Sequence, residues 1–384
     1  MFVVRRRLLI RGQAHYNITK HKKWSGENYE KNVSNIMAAS LAGCSSGGGA
    51  GKSTQPQTAQ ENAGDKAPGE PTSGKKRTIQ LGHIDPAQDV DPYHTLAMNF
   101  KTEIEELSGG AITIDVITDA QLGSELSMME GMNMGTIDMA VITNFSFSSS
   151  VPDFAVFDLP YLFMNREQAH AVLDDTSITD AMEEELYNDF GVKILSWGEG
   201  GFRSTINKKR PINTPADLKG IKIRVPENST YVDTFKALGA NPTTMASSEC
   251  FTALQQGTID GLEQPVTPMY TYKSYELCDY ISFTEHFYSP ITLSVSKFIW
   301  DDLSDEEKGW FEEAAKKAAE EERASAKETD DKLLKEMEEA GVQVNEVADK
   351  QQFRDAVKPI HEAFAADVNK ELLDKINEKI AEIQ

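Results

Sequence analysis

Two kinds of hydrophobic period alternate along the chain from residue 78 onward, and this alternation restricts the folds that the chain can adopt. Residues 78–84 alternate polar and apolar side chains, as in a half-buried strand, whereas residues 93–107 repeat their apolar side chains with the period of a helix. Residues 112–116 then have the period of a strand, residues 125–134 that of a helix and residues 137–142 that of a strand. This β-α-β-α-β order predicts a mostly parallel sheet that helices cover on both faces.

The same alternation starts again after residue 190. Strands are predicted at 192–197, 201–207, 221–225 and 259–262, and helices at 214–220, 228–238 and 247–256. The helix at 214–220 has Thr214 as its N-cap, Pro215 in its first turn and Gly220 at its end. A second set of strands implies a second sheet, and therefore a second lobe.

The carboxyl-terminal part of the chain is predicted to be helical. Ser304 and Glu307 form a capping box at the start of a segment rich in Ala, Glu, Lys and Leu, which predicts one long charged helix. Gly341 ends this pattern, and residues 353–383 predict further helix. The charged side chains of the long helix are expected to face solvent.

We therefore predict an α/β protein with the two-lobed architecture of periplasmic binding proteins. Each lobe is a mixed, mostly parallel sheet flanked by helices, and the ligand lies in the cleft between the lobes, at the carboxyl ends of the strands. Lobe I is expected to comprise residues 78–201 with about 290–330, and lobe II residues 202–289 with about 331–384. Hinge closure around a ligand is the motion expected of such a pair.

The charge of the chain limits what it binds. The 384 residues carry a net charge of -22, and because residues 1–43 are basic, the remainder is more acidic than the whole. Such a body repels phosphate backbones, so no nucleic-acid partner is expected, and an anionic ligand has to be held by a few local cations. The sequence has no apolar run of about 18 residues, the length that a spanning helix needs.

A short motif near the amino terminus predicts attachment to a membrane through lipid. Residues 41–44 read Leu-Ala-Gly-Cys and resemble the bacterial lipobox, in which the cysteine, here Cys44, is lipidated and becomes the mature amino terminus. Residues 44–77 then have the composition of a flexible tether. Residues 1–43 are assigned to a secretion signal, but the segment before Cys44 is polar and atypical, which indicates a mis-called start. A chance tetrapeptide is the alternative.

Neither the cysteines nor the histidines predict a metal or cofactor. Cys250 and Cys278 are separated by 27 residues, which leaves open a disulfide or two buried thiols. His83, Asp85, Tyr93 and His94 follow the first strand at the position of a cleft rim. Their spacing matches no recurrent ligand pattern, so contacts to a ligand or to solvent are expected instead.

A longer set of motifs resembles the solute-binding subunit of tripartite ATP-independent periplasmic (TRAP) transporters. It includes Gly-Phe-Arg at 201–203, the segments 211–226, 238–242 and 253–265, and supporting matches at 121–123 and 158–163. The resemblance covers residues 78–384. It implies an extracytoplasmic protein, expected to be a monomer without catalytic activity, that captures a small organic acid and delivers it to TRAP membrane subunits.

The resemblance also assigns residues that contact the ligand. In that family an arginine of the strand matching 221–225 binds the ligand carboxylate, which implies this role for Arg224. A planar guanidinium suits the task because it donates two parallel hydrogen bonds and stays charged when desolvated. Arg203 matches a second anion-contacting arginine of some members. An exposed or interlobe salt bridge is the alternative for both arginines.

Further contacts are expected from neutral and acceptor side chains. Gln264 stands where the family has Asn, and Ser247 stands where sialic-acid binders of the family have an aromatic residue, so sialic acid is not expected. Ser247 and Ser248 are predicted to cap their helix, either as caps alone or so that the amino-terminal amides of the helix face an anion. His94, Asn144 and Glu199 are further candidates for ligand hydroxyls; a loop-capping role for Asn144 and hinge packing for Glu199 are the alternatives.

This set of side chains favours a sugar acid, a uronate or an aldonate and above all a uronate, over a C4-dicarboxylate, because two separated carboxylates require more positive charge. A secreted sugar-acid enzyme is disfavoured, since the sequence has no nucleophile, zinc or phosphate-loop motif. A receptor ectodomain would need a spanning segment or a dedicated partner.

Deletion of residues 1–77 is expected to leave a folded protein that still binds its organic acid, because this segment lacks the apolar residues to join a core. Circular dichroism during thermal unfolding and calorimetric titration check this. Loss of cooperative unfolding or of binding in the truncated protein would contradict it.

Overall fold

The computed structural model describes residues 76–383, so the predicted signal region, Cys44 and nearly all of the predicted tether lie outside the described residues. Its strands form one mixed sheet in the order β2-β1-β3-β8-β4-β7-β5-β6, with β9 beside β8. The strands are β1 Arg77–Gly82, β2 Ile112–Ile117, β3 Met139–Thr143, β4 Val192–Asn207, β5 Lys222–Val225, β6 Asn241–Thr244, β7 Gly261–Gln264, β8 Tyr280–Ser296 and β9 Gln343–Glu346.

Helices cover both faces of this sheet. They are α1 Pro92–Leu107, α2 Glu125–Met134, α3 Arg166–Leu173, α4 Thr176–Phe190, α5 Ser229–Ala237, α6 Cys250–Gln256, α7 Val266–Thr271, α8 Lys297–Trp300, α9 Asp305–Glu339, α10 Gln351–Phe364 and α11 Lys370–Ala381. A π-helical turn, Ala365–Asn369, joins the last two. The predicted capping box of Ser304 and Glu307 starts α9, whereas the segment predicted as a helix at 214–220 is only a 3₁₀ turn, Pro215–Leu218.

The sheet has two parallel parts that two long strands connect. β2, β1 and β3 are parallel to one another, and so are β7, β5 and β6. The α/β prediction is confirmed, but the two predicted sheets are one, because β4 and β8 pair antiparallel along nearly their full length. The strands predicted at 192–197 and 201–207 are both parts of β4; the register shifts between Glu199 and Phe202, where Gly201 has a φ of +91° that favours glycine.

Separate hydrophobic clusters lie on the two parts of the sheet. We call the part with β1–β3 lobe I and the part with β5–β7 lobe II. The helix α9 packs through Phe311 and Ala318 in lobe I and through Leu333 and Met337 in lobe II. It therefore passes from one lobe to the other near residue 330.

Two predicted domain boundaries need correction. The end of the chain does not stay in lobe II: α10 packs there through Phe353 and Val357, but α11 packs in lobe I through Leu373 and Ile376. A continuous helical pattern does not show on which lobe each of its turns lies. Arg77 belongs to β1 and contacts Asp302, so the predicted tether ends before it.

The described residues settle the state of the two cysteines. Cys250 and Cys278 are both buried and both free, which confirms the thiol alternative. Within residues 76–383, none of the helices combines the length and the apolar composition needed to cross a membrane.

Replacing Gly261 by Ala is expected to destabilise the fold by about 3 kcal/mol, because overpacking of a filled site costs energy of this order. A Cβ at Gly261 would lie 2.3 Å from the Ile206 carbonyl oxygen and 2.8 Å from the Asn207 Cα, which are backbone atoms of the paired strand. Urea unfolding followed by circular dichroism measures the change.

The matched control is Gly309→Ala in the helix α9, where an added Cβ meets nothing within 4 Å. This variant is expected to be more stable by about 0.5 kcal/mol, because alanine reduces the freedom of the unfolded chain. Equal unfolding midpoints for the two variants would contradict the sheet-clash argument.

Candidate ligand-binding site

A cavity of about 380 Å³ lies between the two lobes. Its walls come from the lobe I segments that start α2 and follow β3, and from the lobe II segments that follow β5 and β6. The volume lies in the range of small-molecule sites, and the position after the carboxyl ends of the parallel strands is the one predicted. A smaller cavity adjoins it and shares Glu125, Arg224 and Ser247 as lining residues.

Arg224, near the end of β5, lines both cavities. Its side chain is held in place, because Nε and Nη2 donate to the Met245 carbonyl oxygen at 2.9 and 2.7 Å, and Nη2 also donates to Ser247 Oγ at 3.3 Å. The residue is 4% exposed, yet among the described residues its guanidinium has no carboxylate partner. A buried cation without a counterion binds an anion strongly, because the anion restores the interactions that burial removed.

Arg203 on β4 is placed differently, although it too lines the smaller cavity. Its Nε and Nη2 donate to the two carboxylate oxygens of Glu263 at 2.6 and 2.8 Å. Burial would raise the pKa of Glu263, but the neighbouring Arg203 holds it below its ordinary value, so the pair is ionised. The charge of Arg203 is therefore compensated within the protein.

Gln264 and Ser247 both reach the cavities. Gln264 lines the smaller one, and its Nε2 is buried without a hydrogen-bond partner, which leaves a donor for a ligand. Ser247 lines both, but its predicted role as a helix cap is wrong, and so is that of Ser248. The turn Ser247–Glu249 has Ala246 at its N-cap and no side-chain cap, because the Ser247 hydroxyl accepts from Arg224 instead.

Three predicted contact residues have partners within the fold and are absent from the linings of both cavities. Asn144 donates to the Phe154 carbonyl and to Asp158, which is the loop-holding alternative. Glu199 pairs with Arg166 and His170 beside the hinge, and His94 contacts the ring of His83 at 3.2 Å. The structure therefore does not bring these three side chains to the two cavities, because a position after a strand does not show which way a side chain points.

The acidic wall of lobe I contains residues that the sequence indicated only in part. Asp85 and Tyr93, predicted at a cleft rim, line the smaller cavity. Burial raises the pKa of Asp85 to about 6, and the Tyr272 hydroxyl donates to it at 2.5 Å. Among residues 76–383, no group of three or more His, Cys, Asp or Glu side chains has the arrangement of a metal site.

Glu125 was missed by the sequence argument, although it lines both cavities. It is the first residue of α2, after the N-cap Ser124, and Gln121-Leu122-Gly123, which carries part of the resemblance, directly precedes that cap. The position of Glu125 two residues after this motif was the feature of the sequence that could have indicated a ligand-binding role. Burial raises the pKa of the Glu125 carboxyl.

Comparison with known proteins identifies the family of this chain. Residues 81–367 match the model of the family described as bacterial extracellular solute-binding protein, family 7. The 2,3-diketo-L-gulonate-binding periplasmic protein YiaO of Escherichia coli is 33% identical over 279 residues, which cover 72% of this chain and 84% of that protein.

Solved structures extend the likeness to the fold. The sugar acid binding protein DctPAm of Advenella mimigardefordensis, in complex with galactonate, has a TM-score of 0.77 and 30% identity over 81% of this chain and 99% of that one. A TRAP periplasmic solute-binding protein of Chromohalobacter salexigens with bound D-glucuronate has a TM-score of 0.75 and 30% identity over 78% and 99%. The chain described here therefore belongs to family 7 of the bacterial extracellular solute-binding proteins, the solute-binding subunits of TRAP transporters.

Proposed function

We propose that this protein captures a monocarboxylate sugar acid, a uronate or an aldonate, outside the cytoplasm and delivers it to TRAP membrane subunits. The observation that carries the proposal is the buried guanidinium of Arg224, which faces the cavity without a carboxylate partner among the described residues. A ligand carboxylate supplies that partner. We further propose that the protein binds its ligand without chemical conversion.

The rest of the cavity suits hydroxyl groups. Gln264 offers an unpaired donor, Ser146 and Ser148 line the lobe I wall, and Glu125 offers acceptor oxygens. A polyhydroxy acid satisfies such groups, whereas a short dicarboxylate leaves them unpaired. The bound galactonate and glucuronate of the two solved relatives are compounds of this class.

A C4-dicarboxylate is the competing ligand. It requires a second cation at the far end of the site, and the nearest candidate, Arg203, is already paired with Glu263 through two hydrogen bonds. The charge balance of the cavity therefore favours one carboxylate over two.

The membrane attachment proposed here rests on sequence alone. Leu41-Ala42-Gly43-Cys44 lies outside the described residues, and we propose that lipid at Cys44 tethers a monomer to the cell membrane, in the periplasm or at the outer face of the cytoplasmic membrane. The two lobes, joined by β4, β8 and α9, would then close around the ligand.

Uronates and aldonates are expected to raise the unfolding temperature more than succinate or malate does, because only the sugar acids pair the hydroxyl-binding groups. A ligand at 100 times its dissociation constant adds about 2.7 kcal/mol to the stability. A thermal-shift screen followed by calorimetry measures both classes. Tight succinate binding with none of the sugar acids would reject the proposed ligand class.

Arg224→Ala is expected to weaken sugar-acid binding by about 2–5 kcal/mol, because truncating one member of a buried charge pair leaves the other unpaired. This is roughly 30- to 4,000-fold in affinity. Arg224→Lys is expected to recover part of the loss, since an ammonium keeps the charge without the two-pronged geometry. Calorimetric titration of the three proteins with one sugar acid gives the ratios.

Two control variants separate binding from folding. Lys222 is exposed on the same strand, so Lys222→Ala removes one positive charge outside the cavity and should leave affinity unchanged. Arg203→Ala breaks a buried pair with Glu263 and is expected to lower the stability itself by about 3–5 kcal/mol. Wild-type affinity in Arg224→Ala would move the anion site elsewhere.

A further inference from the structure

Glu125 and Arg224 line the same two cavities from opposite lobes. Glu125 starts α2 in lobe I, and Arg224 lies near the end of β5 in lobe II. A ligand that occupies the cavity with its carboxylate on Arg224 therefore extends toward a wall that contains a carboxyl group. The site therefore has a guanidinium group on one lobe and a carboxyl group on the other.

The carboxyl group of Glu125 is fixed through one of its oxygens. Oε1 accepts from the Thr143 backbone N–H at 2.6 Å, from Thr143 Oγ1 at 2.7 Å and from the Tyr93 hydroxyl at 3.1 Å. Among the described residues, Oε2 has no hydrogen-bond donor. The Tyr93 and Thr143 hydroxyls also contact each other, so their two protons are shared among three contacts. The Thr143 backbone N–H and the remaining hydroxyl donor favour the ionised form of Glu125, and Oε2 remains available to a ligand.

The surroundings of Glu125 do not cancel its charge. Asp85, a second acid, lines the smaller cavity on the same wall. Arg203 lies close enough to lower the pKa of Glu125, although burial dominates and raises it. The Arg203 guanidinium is itself paired with Glu263. Arg203 and Arg224 are the basic residues that line the two cavities; since Arg203 is paired and Arg224 lies on the opposite lobe, no free cation of the described residues faces Glu125 to receive a second anionic group.

We propose that Glu125 sets the specificity of the site for monocarboxylates, by accepting a hydrogen bond from a ligand hydroxyl and by repelling a second carboxylate at the same position. This inference rests on the proposed function and adds the residue that excludes sugar diacids. Bringing two like charges together in a desolvated cleft costs binding free energy. A binding site can exclude an unwanted ligand by this repulsion.

Galactonate and galactarate are a matched pair of probes for this inference. Galactarate carries a carboxylate where galactonate has its terminal hydroxymethyl group, and the rest of the chain is the same. Wild-type protein is expected to bind galactonate at least about tenfold more tightly than galactarate at pH 7. In Glu125→Gln, Oε1 keeps its acceptor role and the charge is removed, so this ratio is expected to fall by about tenfold or more.

The control is Glu130→Gln, which removes the same charge from an exposed position of the same helix. Calorimetric titration of wild type and both variants with both probes gives the ratios, and thermal unfolding shows that each protein is folded. Glu130→Gln is expected to keep the wild-type ratio. A Glu125→Gln variant that binds galactonate and keeps the wild-type ratio would overturn the inference.

A second measurement needs no substitution. The monoamide of galactarate matches the shape of the diacid and has one charge fewer, so wild-type protein is expected to bind it at least about tenfold more tightly than galactarate. Equal affinities would show that charge is not the cause of rejection. If no sugar acid binds wild-type protein, the proposed function fails and this inference fails with it; binding of galactonate and galactarate with equal affinity overturns the inference alone.

Discussion

The antiparallel pairing of β4 with β8 is the interaction on which the rest of the structure depends. The pairing runs from Val192 with Ser296 at one end to Asn207 with Tyr280 at the other. Both strands therefore continue from one lobe into the other and join the two parts of the sheet. The irregular register between Glu199 and Phe202 lies in the middle of this ladder. Bulges bend and twist a strand pair while leaving it paired, and a bend here changes the direction of one lobe relative to the other.

The distribution of buried charge follows from this frame. β4 presents Arg203 beside Glu263 of its neighbour β7, and the two make a compensated pair within lobe II. Arg224 lies near the end of a short strand, where its partners are the Met245 carbonyl and the Ser247 hydroxyl, both uncharged. Arg203 and Arg224 thus differ in whether a neighbouring strand supplies a carboxylate, because only a carboxylate within the fold can neutralise the cation before a ligand does.

The lobe I wall has the opposite character, since it concentrates buried acids. Asp85 and Glu125 line the smaller cavity. Asp91 is absent from the cavity linings but contacts Asp85; desolvation raises its pKa well above the ordinary value, and Asp85 adds to the shift. Tyr272 of lobe II donates to Asp85, and Thr271 contacts Asp91, so the acids also connect the lobes next to the cleft. A cleft with one cation on one lobe and acceptors on the other orients a ligand that has a carboxylate at one end and hydroxyls at the other.

The sequence by itself determined the alternating strands and helices, the capping box of α9 and, through the segment 211–226, the arginine that faces the cavity. These features depend on local periods, caps and an ordered motif, all of which are contained in adjacent residues. Only the tertiary structure decided that Asn144 and Glu199 are held by partners within lobe I. It also decided that Glu263 neutralises Arg203 and that Glu125 lies across the cleft from Arg224. The reason is physical: the charge state and the accessibility of a side chain depend on groups that are distant in the chain and meet only when the sheet is formed.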